Sequence, residues 1–247
     1  MQKFADKTIW IIGATDGIGK ALLQKLDSSI KATFIISARS EEKLQTIAAN
    51  LNNDCHAIGF DVVDFDSFKN ASEKALALNP DFIIYLPAYY EPSLISEIKP
   101  QDLDRTIQTN LTAVFYLIRL TLPFLKENTH CQLAITASVA GYVGLPKSQP
   151  YAATKAGVIN LVESLKAENQ ELDIRLINPS FVKTKLTEKN DFKMPALLEP
   201  EQAADSIIKG LESNSFEIHF TKKFTIVLKF IASLPYKLYF KIAKKMI

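Results

Sequence analysis

The sequence contains little cysteine, histidine and glycine and no long apolar segment. Only two cysteines and three histidines occur in 247 residues, so neither a disulfide framework nor a metal site is expected. Cys55 and Cys131 lack CxxC spacing, and we expect a reducing, cytoplasmic compartment. No apolar run approaches the ~18 residues of a membrane-spanning helix, and the first residues lack a small-residue cleavage site, so no secretion is predicted.

The remaining composition is typical of a folded globular protein. Apolar residues make up 47% and charged residues 23% of the chain, which excludes disordered and collagen-like proteins. The net charge of +2 conceals an asymmetry, because residues 221–247 hold seven lysines and no acidic residue and leave −5 on residues 1–220. An acidic body argues against nucleic acid as a partner.

Seven short apolar runs alternate with longer segments of helical periodicity. Runs without polar alternation are typical of parallel strands buried on both faces. We therefore predict an α/β fold with a doubly wound (Rossmann), mostly parallel, seven-stranded sheet and helices on both faces. A TIM barrel is the rival, but its phosphate site would follow the last strands, whereas the glycines here follow the first. The predicted strands lie at 7–13, 32–37, 55–60, 81–86, 131–137, 173–178 and 216–220.

Three of the eight glycines, Gly13, Gly17 and Gly19, lie within seven residues after the first predicted strand. Glycine lets backbone approach a ligand closely, and the N-terminus of the following helix favours an anion. The pattern predicts a phosphate-binding turn, and a tight turn without a ligand is the alternative. The spacing GxxxGxG differs from the GxGxxG of many dinucleotide-binding proteins.

Six segments match, in order and spacing, the motifs of one known family. They are GATDGIG at 13–19, FDV at 60–62, TNLTAVF at 109–115, ITASVAGY at 135–142, YAATK at 151–155 and NPSFVKT at 178–184. Residues 6–220 thereby resemble the short-chain dehydrogenase/reductase family. The resemblance implies an NAD(P)-dependent oxidoreductase that interconverts a carbonyl and a secondary alcohol, with a small-molecule substrate. The rival from another class is an inactive nucleotide-sensing or scaffold protein of the same fold.

The resemblance also implies four catalytic residues, Asn110, Ser138, Tyr151 and Lys155. Tyr151 and Lys155 are four residues apart, so they share a helical face, and a neighbouring ammonium would lower the tyrosine pKa for work as a general acid or base. Ser138 would hydrogen-bond the substrate carbonyl oxygen. Asn110 would hold a water that links Lys155 to solvent. All four present together favour the enzyme over the inactive alternative.

The resemblance further implies a set of cofactor contacts. Arg39 follows the second predicted strand, at the place where folds that prefer NAD carry an acidic residue, so it suits a 2′-phosphate and favours NADP over NAD. Asp16 argues the other way, because many NADP-using relatives carry a basic residue there. The cofactor-binding residues implied are Gly13, Thr15, Asp16, Gly17, Ile18, Gly19, Arg39, Asp61, Val62, Ala88, Tyr151, Lys155, Val182 and Thr184.

Two segments depart from the family pattern. Leu86-Pro87-Ala88-Tyr89 stands where relatives carry Asn-Asn-Ala-Gly, and Ser180 replaces the glycine of PGxVxT. Neither change removes a reacting group. An aromatic, apolar pocket is expected instead, which favours an apolar carbonyl substrate, and an aromatic cluster within the core is the alternative. The expected use of NADP favours reduction as the direction of the reaction. The predicted lining of the pocket is Tyr89, Tyr90, Tyr142, Val143 and Leu145.

Two helical segments, around 103–125 and 151–168, carry apolar residues beyond a single core stripe. Their family counterparts commonly pair across a dimer, so we predict a homodimer or homotetramer. Burial of both sides within the monomer is the alternative.

The division of the chain is predicted as one domain at 1–220 followed by a basic extension at 221–247. Phe224, Val227, Leu228 and Ile231 follow i, i+3, i+4, i+7 spacing, and a second amphipathic arm follows Pro235. This pattern predicts peripheral contact with an anionic membrane at its cytoplasmic face. A helix packed on the protein is the alternative. The second arm combines Leu238, Tyr239 and Ile242 with Lys237, Lys241 and Lys245 on the opposite side.

Overall fold

Seven strands form the centre of the computed structural model, which describes residues 1–192 and 194–244. In chain order they are β1 (Thr8–Ile12), β2 (Thr33–Ala38), β3 (Asp54–Gly59), β4 (Phe82–Tyr85), β5 (Gln132–Thr136), β6 (Asp173–Asn178) and β7 (Glu217–His219). All neighbouring pairs are parallel, in the order β3-β2-β1-β4-β5-β6-β7. The predicted doubly wound sheet is confirmed. The strand order reverses between β1 and β4, and ligands of such sheets bind beside the carboxyl ends of the strands at that point.

Helices cover both faces of the sheet. They are α1 (Gly17–Asp27), α2 (Glu41–Ala48), α3 (Phe65–Leu76), α4 (Pro100–Ile107), α5 (Ala113–Glu127), α6 (Tyr151–Glu168), α7 (Pro200–Glu212), α8 (Lys222–Ala232) and α9 (Tyr236–Ala243). A π-helical turn at Gln108–Thr112 joins α4 to α5. None of the helices described in residues 1–192 and 194–244 has the length and apolar character needed to cross a bilayer.

The alternation of strand side chains divides the core into two layers. On β1, Ile9 and Ile11 pack in the layer under α1 and α7, whereas Trp10 and Ile12 pack in the layer under α3, α5 and α6. All four are fully buried, and burial of each such side chain contributes about 1.5–3 kcal/mol. The indole N–H of Trp10 donates to the Ser37 hydroxyl at 3.0 Å, so this buried polar atom is satisfied. The two layers thus cover both faces of the sheet whose carboxyl edge carries the predicted site.

The C-terminal helices α8 and α9 pack on the body along one side each. Leu228 and Ile231 of the predicted stripe are buried against the body, which is the arrangement of the packed-helix alternative, whereas Val227 is exposed. It is offset from Leu228 by 100° around the helix, which turns it to the outer side. The predicted Lys245 lies outside the described residues, and the division at residue 220 stays a prediction.

Candidate active site

The carboxyl edge of the sheet brings together the loops that carry the predicted site residues. Parallel strands all end at this edge, so residues distant in sequence become neighbours. Successive loops after β1 to β6 carry Gly13, Arg39, Asp61 and Val62, Ala88, Ser138, and Val182 with Thr184. The predicted residues thus lie along one edge of one sheet.

The glycine turn is built too tightly for side chains. Gly13 adopts φ +89°, and a Cβ placed on Gly19 would lie 2.1 Å from the Gly13 carbonyl oxygen. Helix α1 begins at this turn, and Asp16 caps it by accepting a hydrogen bond from the Gly17 N–H at 2.8 Å. The first amides of a helix have no partners within the helix and attract phosphate. Thr15 and Ile18 lie within the turn, which fits the pyrophosphate of a dinucleotide.

The loop after β6 closes over the glycine turn. A Cβ on Gly17 would lie 3.0 Å from the Thr184 methyl carbon, and the next residue, Lys185, forms an ion pair with Asp16 at 2.6 Å. Burial acts to raise the pKa of Asp16, but the hydrogen bond and charge of Lys185 lower it on balance. The positive charge of Lys185 therefore compensates the negative charge of Asp16, which was the feature that disfavoured NADP. This partner could not be predicted from the sequence, because the two residues are 169 positions apart.

The opposite end of the predicted cofactor groove is formed by the loops after β2 and β3. Arg39 is exposed immediately after β2. Asp61 accepts a hydrogen bond from the Val63 N–H at 3.2 Å, and Val62 is buried. These positions leave the guanidinium of Arg39 available to an anionic ligand.

Tyr151 and Lys155 occupy the first turns of α6, facing the end of β5. The Lys155 ammonium donates to the Thr136 carbonyl at 3.0 Å and lies 5.6 Å from the centre of the Tyr151 ring. Ser138 follows β5, and its hydroxyl accepts from the Ala140 N–H at 3.1 Å. Both Ser138 and Tyr151 line the same cavity. The structure thereby brings three of the four predicted catalytic residues together.

The pKa values of this pair differ from the sequence-based expectation. Burial raises the pKa of Tyr151 to about 12, and a hydrogen bond with Ser138 opposes only part of that rise. Burial also lowers the pKa of Lys155 to about 7. The expectation of a lowered tyrosine pKa is therefore wrong for the protein alone, because burial of the phenol outweighs the opposing hydrogen bond. At neutral pH the Tyr151 phenol stays protonated, as a proton donor must be.

Asn110 is buried in the π-helical turn, a type of distortion frequent at functional sites. Its side-chain oxygen accepts from the Tyr89 N–H at 2.7 Å, and its amide donates to the Tyr89 carbonyl at 2.8 Å and to the Thr154 hydroxyl at 3.3 Å. The side chain thus fixes the segment after β4 against α6. The water link to Lys155 stays a prediction.

A cavity of about 840 Å³ opens beside Ser138 and Tyr151. Of the five predicted lining residues, Tyr90 and Leu145 are confirmed. The prediction is wrong for Tyr89, Tyr142 and Val143. The Tyr89 hydroxyl donates to Asp102 at 2.7 Å, and the Tyr142 hydroxyl donates to Glu217, and neither acceptor lines the cavity. Five further apolar residues that were not predicted also line the cavity: Phe181, Leu186, Phe192, Phe224 and Leu228.

Comparisons with known proteins agree with this geometry. Residues 7–194 match the family described as short chain dehydrogenase. An uncharacterized oxidoreductase of Staphylococcus epidermidis is 26% identical over 87% of this chain and 95% of its own. A 3-oxoacyl-acyl-carrier-protein reductase of Rickettsia felis is 30% identical over 84% of this chain and 90% of its own.

A solved structure shares the fold at lower identity. The short-chain dehydrogenase/reductase of Burkholderia phymatum in complex with NAD superimposes with a TM-score of 0.82 at 19% identity, covering 93% of this chain and 94% of its own. The family match, the oxidoreductase relatives and the shared fold lead to one conclusion. The chain belongs to the short-chain dehydrogenase/reductase family, whose oxidoreductases use NAD or NADP.

Proposed function

We propose that the protein is an NADP-dependent reductase that converts an apolar ketone or aldehyde into the alcohol. The observation that carries this proposal is the shared cavity, in which a protonated Tyr151 and Ser138 lie among mostly apolar walls. The glycine turn and Arg39 lie along the same edge of the sheet. Substrate and cofactor would therefore meet at this edge.

In the mechanism, Tyr151 is the general acid and Ser138 orients the substrate. A nicotinamide cofactor held by the glycine turn and Arg39 would supply the hydride for the carbonyl carbon. The Ser138 hydroxyl donates a hydrogen bond to the carbonyl oxygen, which stabilises the negative charge that develops there. Tyr151 transfers its phenolic proton to that oxygen, which completes the alcohol. Lys155, with a pKa near neutrality, stabilises the resulting phenolate by its charge and serves as the proton reserve for Tyr151.

The cavity supports an apolar substrate of some length. Aromatic and aliphatic side chains form most of its walls, and its volume of about 840 Å³ is near the upper range of small-molecule sites. The relative in Rickettsia felis is named for reduction of 3-oxoacyl chains, which is the same chemical type. We would follow NADPH consumption with ketones and aldehydes of increasing chain length. Activity confined to small polar carbonyls would contradict the proposal.

Cofactor preference provides a separate prediction. We expect at least fivefold better kcat/KM with NADPH than with NADH, because Arg39 can pair with a 2′-phosphate. Arg39→Gln should lower kcat/KM for NADPH about tenfold or more and leave NADH nearly unchanged, since a charge-assisted hydrogen bond contributes about 1.5–3 kcal/mol. The matched control is Lys43→Gln, which removes an exposed charge on α2. A preference of the wild type for NADH would show that Asp16 outweighs Arg39.

We also propose self-association through α5 and α6. Phe115 is exposed, and Ile118 and Ile159 are only half-buried, so an apolar surface remains uncovered on these helices. Light scattering at micromolar concentration should give a dimeric or tetrameric mass. Phe115→Asp should shift it to the monomer, because a charge cannot be buried in an apolar interface without large cost. A monomeric wild type would exclude this assembly.

A cytoplasmic location remains our proposal. Cys55 lies on β3 and Cys131 immediately before β5, and both are free thiols. Burial is the main cause that raises the pKa of Cys55 to about 11 and that of Cys131 to about 12, so both remain protonated at neutral pH. Unreactive thiols are compatible with a reducing compartment.

A further inference from the structure

Helix α8 has two apolar sides, and only one of them is covered. On the inner side Thr225, Leu228 and Ile231 are buried, and Leu228 also forms part of the cavity wall. The outer side repeats the apolar pattern at positions three and four residues apart. Ile226 and Phe230 are 59% and 64% exposed there. A helix packed only on its own protein would not need this second side.

Helix α9 extends the same exposed surface. Tyr236 and Phe240 are 79% and 61% exposed, with their rings stacked at 5.9 Å. The helix is held to the body on its other side, where Ala243 is buried and the Tyr239 hydroxyl donates to the Gly144 carbonyl. We call ten of the exposed side chains at 222–244 the outer face. It consists of Lys222, Lys223, Ile226, Val227, Phe230, Tyr236, Lys237, Phe240, Lys241 and Lys244.

The lysines of the outer face are not used for packing on the body. Lys229, at the edge of α8, pairs with Glu217 of β7. Lys222, Lys223 and Lys237, by contrast, lie beyond 4 Å of any carboxylate among residues 1–192 and 194–244. The sequence from 221 to 247 contains no acidic residue that could neutralise them. A strong positive field therefore surrounds an exposed aromatic surface.

We propose that the outer face docks on an anionic lipid bilayer. Aromatic and aliphatic side chains can enter the acyl boundary while lysines beside them extend to lipid headgroups. A second copy of this chain fits less well, because two such faces would oppose like charges. Alternating lysine and apolar positions along two helices also match a laterally uniform surface rather than a single shaped pocket.

The outer face is held in position before any membrane is present. The Lys229–Glu217 pair fixes the middle of α8, and His219 Nδ1 lies 2.6 Å from the Thr225 hydroxyl. The two helices therefore dock without first having to fold, which favours affinity. Docking places the cavity about one helix diameter, on the order of 10 Å, from the bilayer. That this cavity holds the substrate rests on the proposed function. Substrates dissolved in the membrane would then be concentrated beside the active site.

Vesicle co-sedimentation tests the docking with the full chain. At low salt the wild type should pellet with phosphatidylcholine vesicles that contain phosphatidylglycerol, and stay in solution with phosphatidylcholine alone. Replacing three tail lysines by glutamine should lower vesicle affinity roughly a hundredfold. A control triple variant removes three exposed lysines of α2 and α3 and changes net charge equally. The tail variant is Lys223→Gln/Lys237→Gln/Lys241→Gln, and the control is Lys43→Gln/Lys69→Gln/Lys74→Gln.

A second variant tests the apolar part of the outer face. Phe230→Ser/Phe240→Ser removes two exposed rings that do not line the cavity, so it should weaken vesicle binding tenfold or more and leave reductase activity on soluble substrates unchanged. A wild type that remains in the supernatant, or a control triple that weakens binding as much as the tail triple, would overturn the proposal. Because vesicle binding requires no turnover, this outcome is independent of the proposed reaction.

Discussion

Tyr151→Phe is expected to reduce turnover about a thousandfold while cofactor affinity stays within about threefold of wild type. The variant keeps the ring that packs beside Tyr90 at 4.9 Å but removes the only proposed proton donor to the carbonyl oxygen. General acid catalysis of this kind contributes typically about 10²–10⁴-fold. The rate of NADPH oxidation measures turnover, and a fluorescence titration with NADPH measures cofactor affinity.

Tyr90→Phe is the matched control for this experiment. The Tyr90 hydroxyl donates to Asn190 at 2.7 Å and lies on the cavity wall, so its loss should change kcat less than about threefold. If Tyr151→Phe retained more than a tenth of wild-type turnover, the assignment of Tyr151 as the acid would be refuted. The inactive, nucleotide-sensing alternative predicts no turnover for either protein on any substrate.

Lys155→Met is expected to abolish activity and yet stabilise the fold by about 2 kcal/mol or more at pH 7. Burial lowers the pKa of Lys155 from 10.5 to about 7. Each unit of this pKa difference corresponds to about 1.4 kcal/mol of folding free energy while the lysine is charged. The charged head therefore costs on the order of 4 kcal/mol. The lost hydrogen bond to the Thr136 carbonyl offsets about 1 kcal/mol of the stabilisation gained by removing that charge. Urea unfolding measures the net free energy.

The pH dependence of this gain has a definite sign. Since the folded-state pKa lies below the unfolded one, the unfolded chain binds more protons between pH 7 and pH 10.5, and wild-type stability rises with pH there. The advantage of Lys155→Met is therefore full at pH 7 and below, and it decreases toward pH 10.5. Lys43→Met, at an exposed position, should show no such trend. A gap that stays constant from pH 6 to pH 9 would contradict burial as its cause.

The sheet could be predicted from sequence because a parallel strand buried on both faces is a continuous apolar run. Residues 173–178 were predicted as a strand and β6 occupies these same residues. The π-helical turn at Gln108–Thr112 gave no such signal, because it depends on one additional residue per turn and on the contact of Asn110 with Tyr89. The stripe of α8 that its periodicity assigned to a membrane packs on the body instead, because α8 carries apolar residues on two sides that periodicity alone does not distinguish.

The site was predictable where its residues are local in sequence. Tyr151 and Lys155 are one helical turn apart, and the glycine turn lies within seven residues. Contacts between distant segments were not predictable, such as Lys185 with Asp16. The pKa values were wrong for a related reason, since they depend on burial, which only the folded chain defines. The apolar cavity was predicted correctly in character but not in the residues that line it.

The two sides of α8 also determine how this enzyme can evolve. Phe224 and Leu228 contact the cavity, whereas Ile226 and Phe230 do not, and the helical repeat keeps these two sets of positions separate. Mutations that adapt the cavity to a new substrate can therefore accumulate on the inner side without changing the exposed surface. Changes on the outer side can likewise be selected without loss of specificity. One short helix thus carries two traits that natural selection can alter independently.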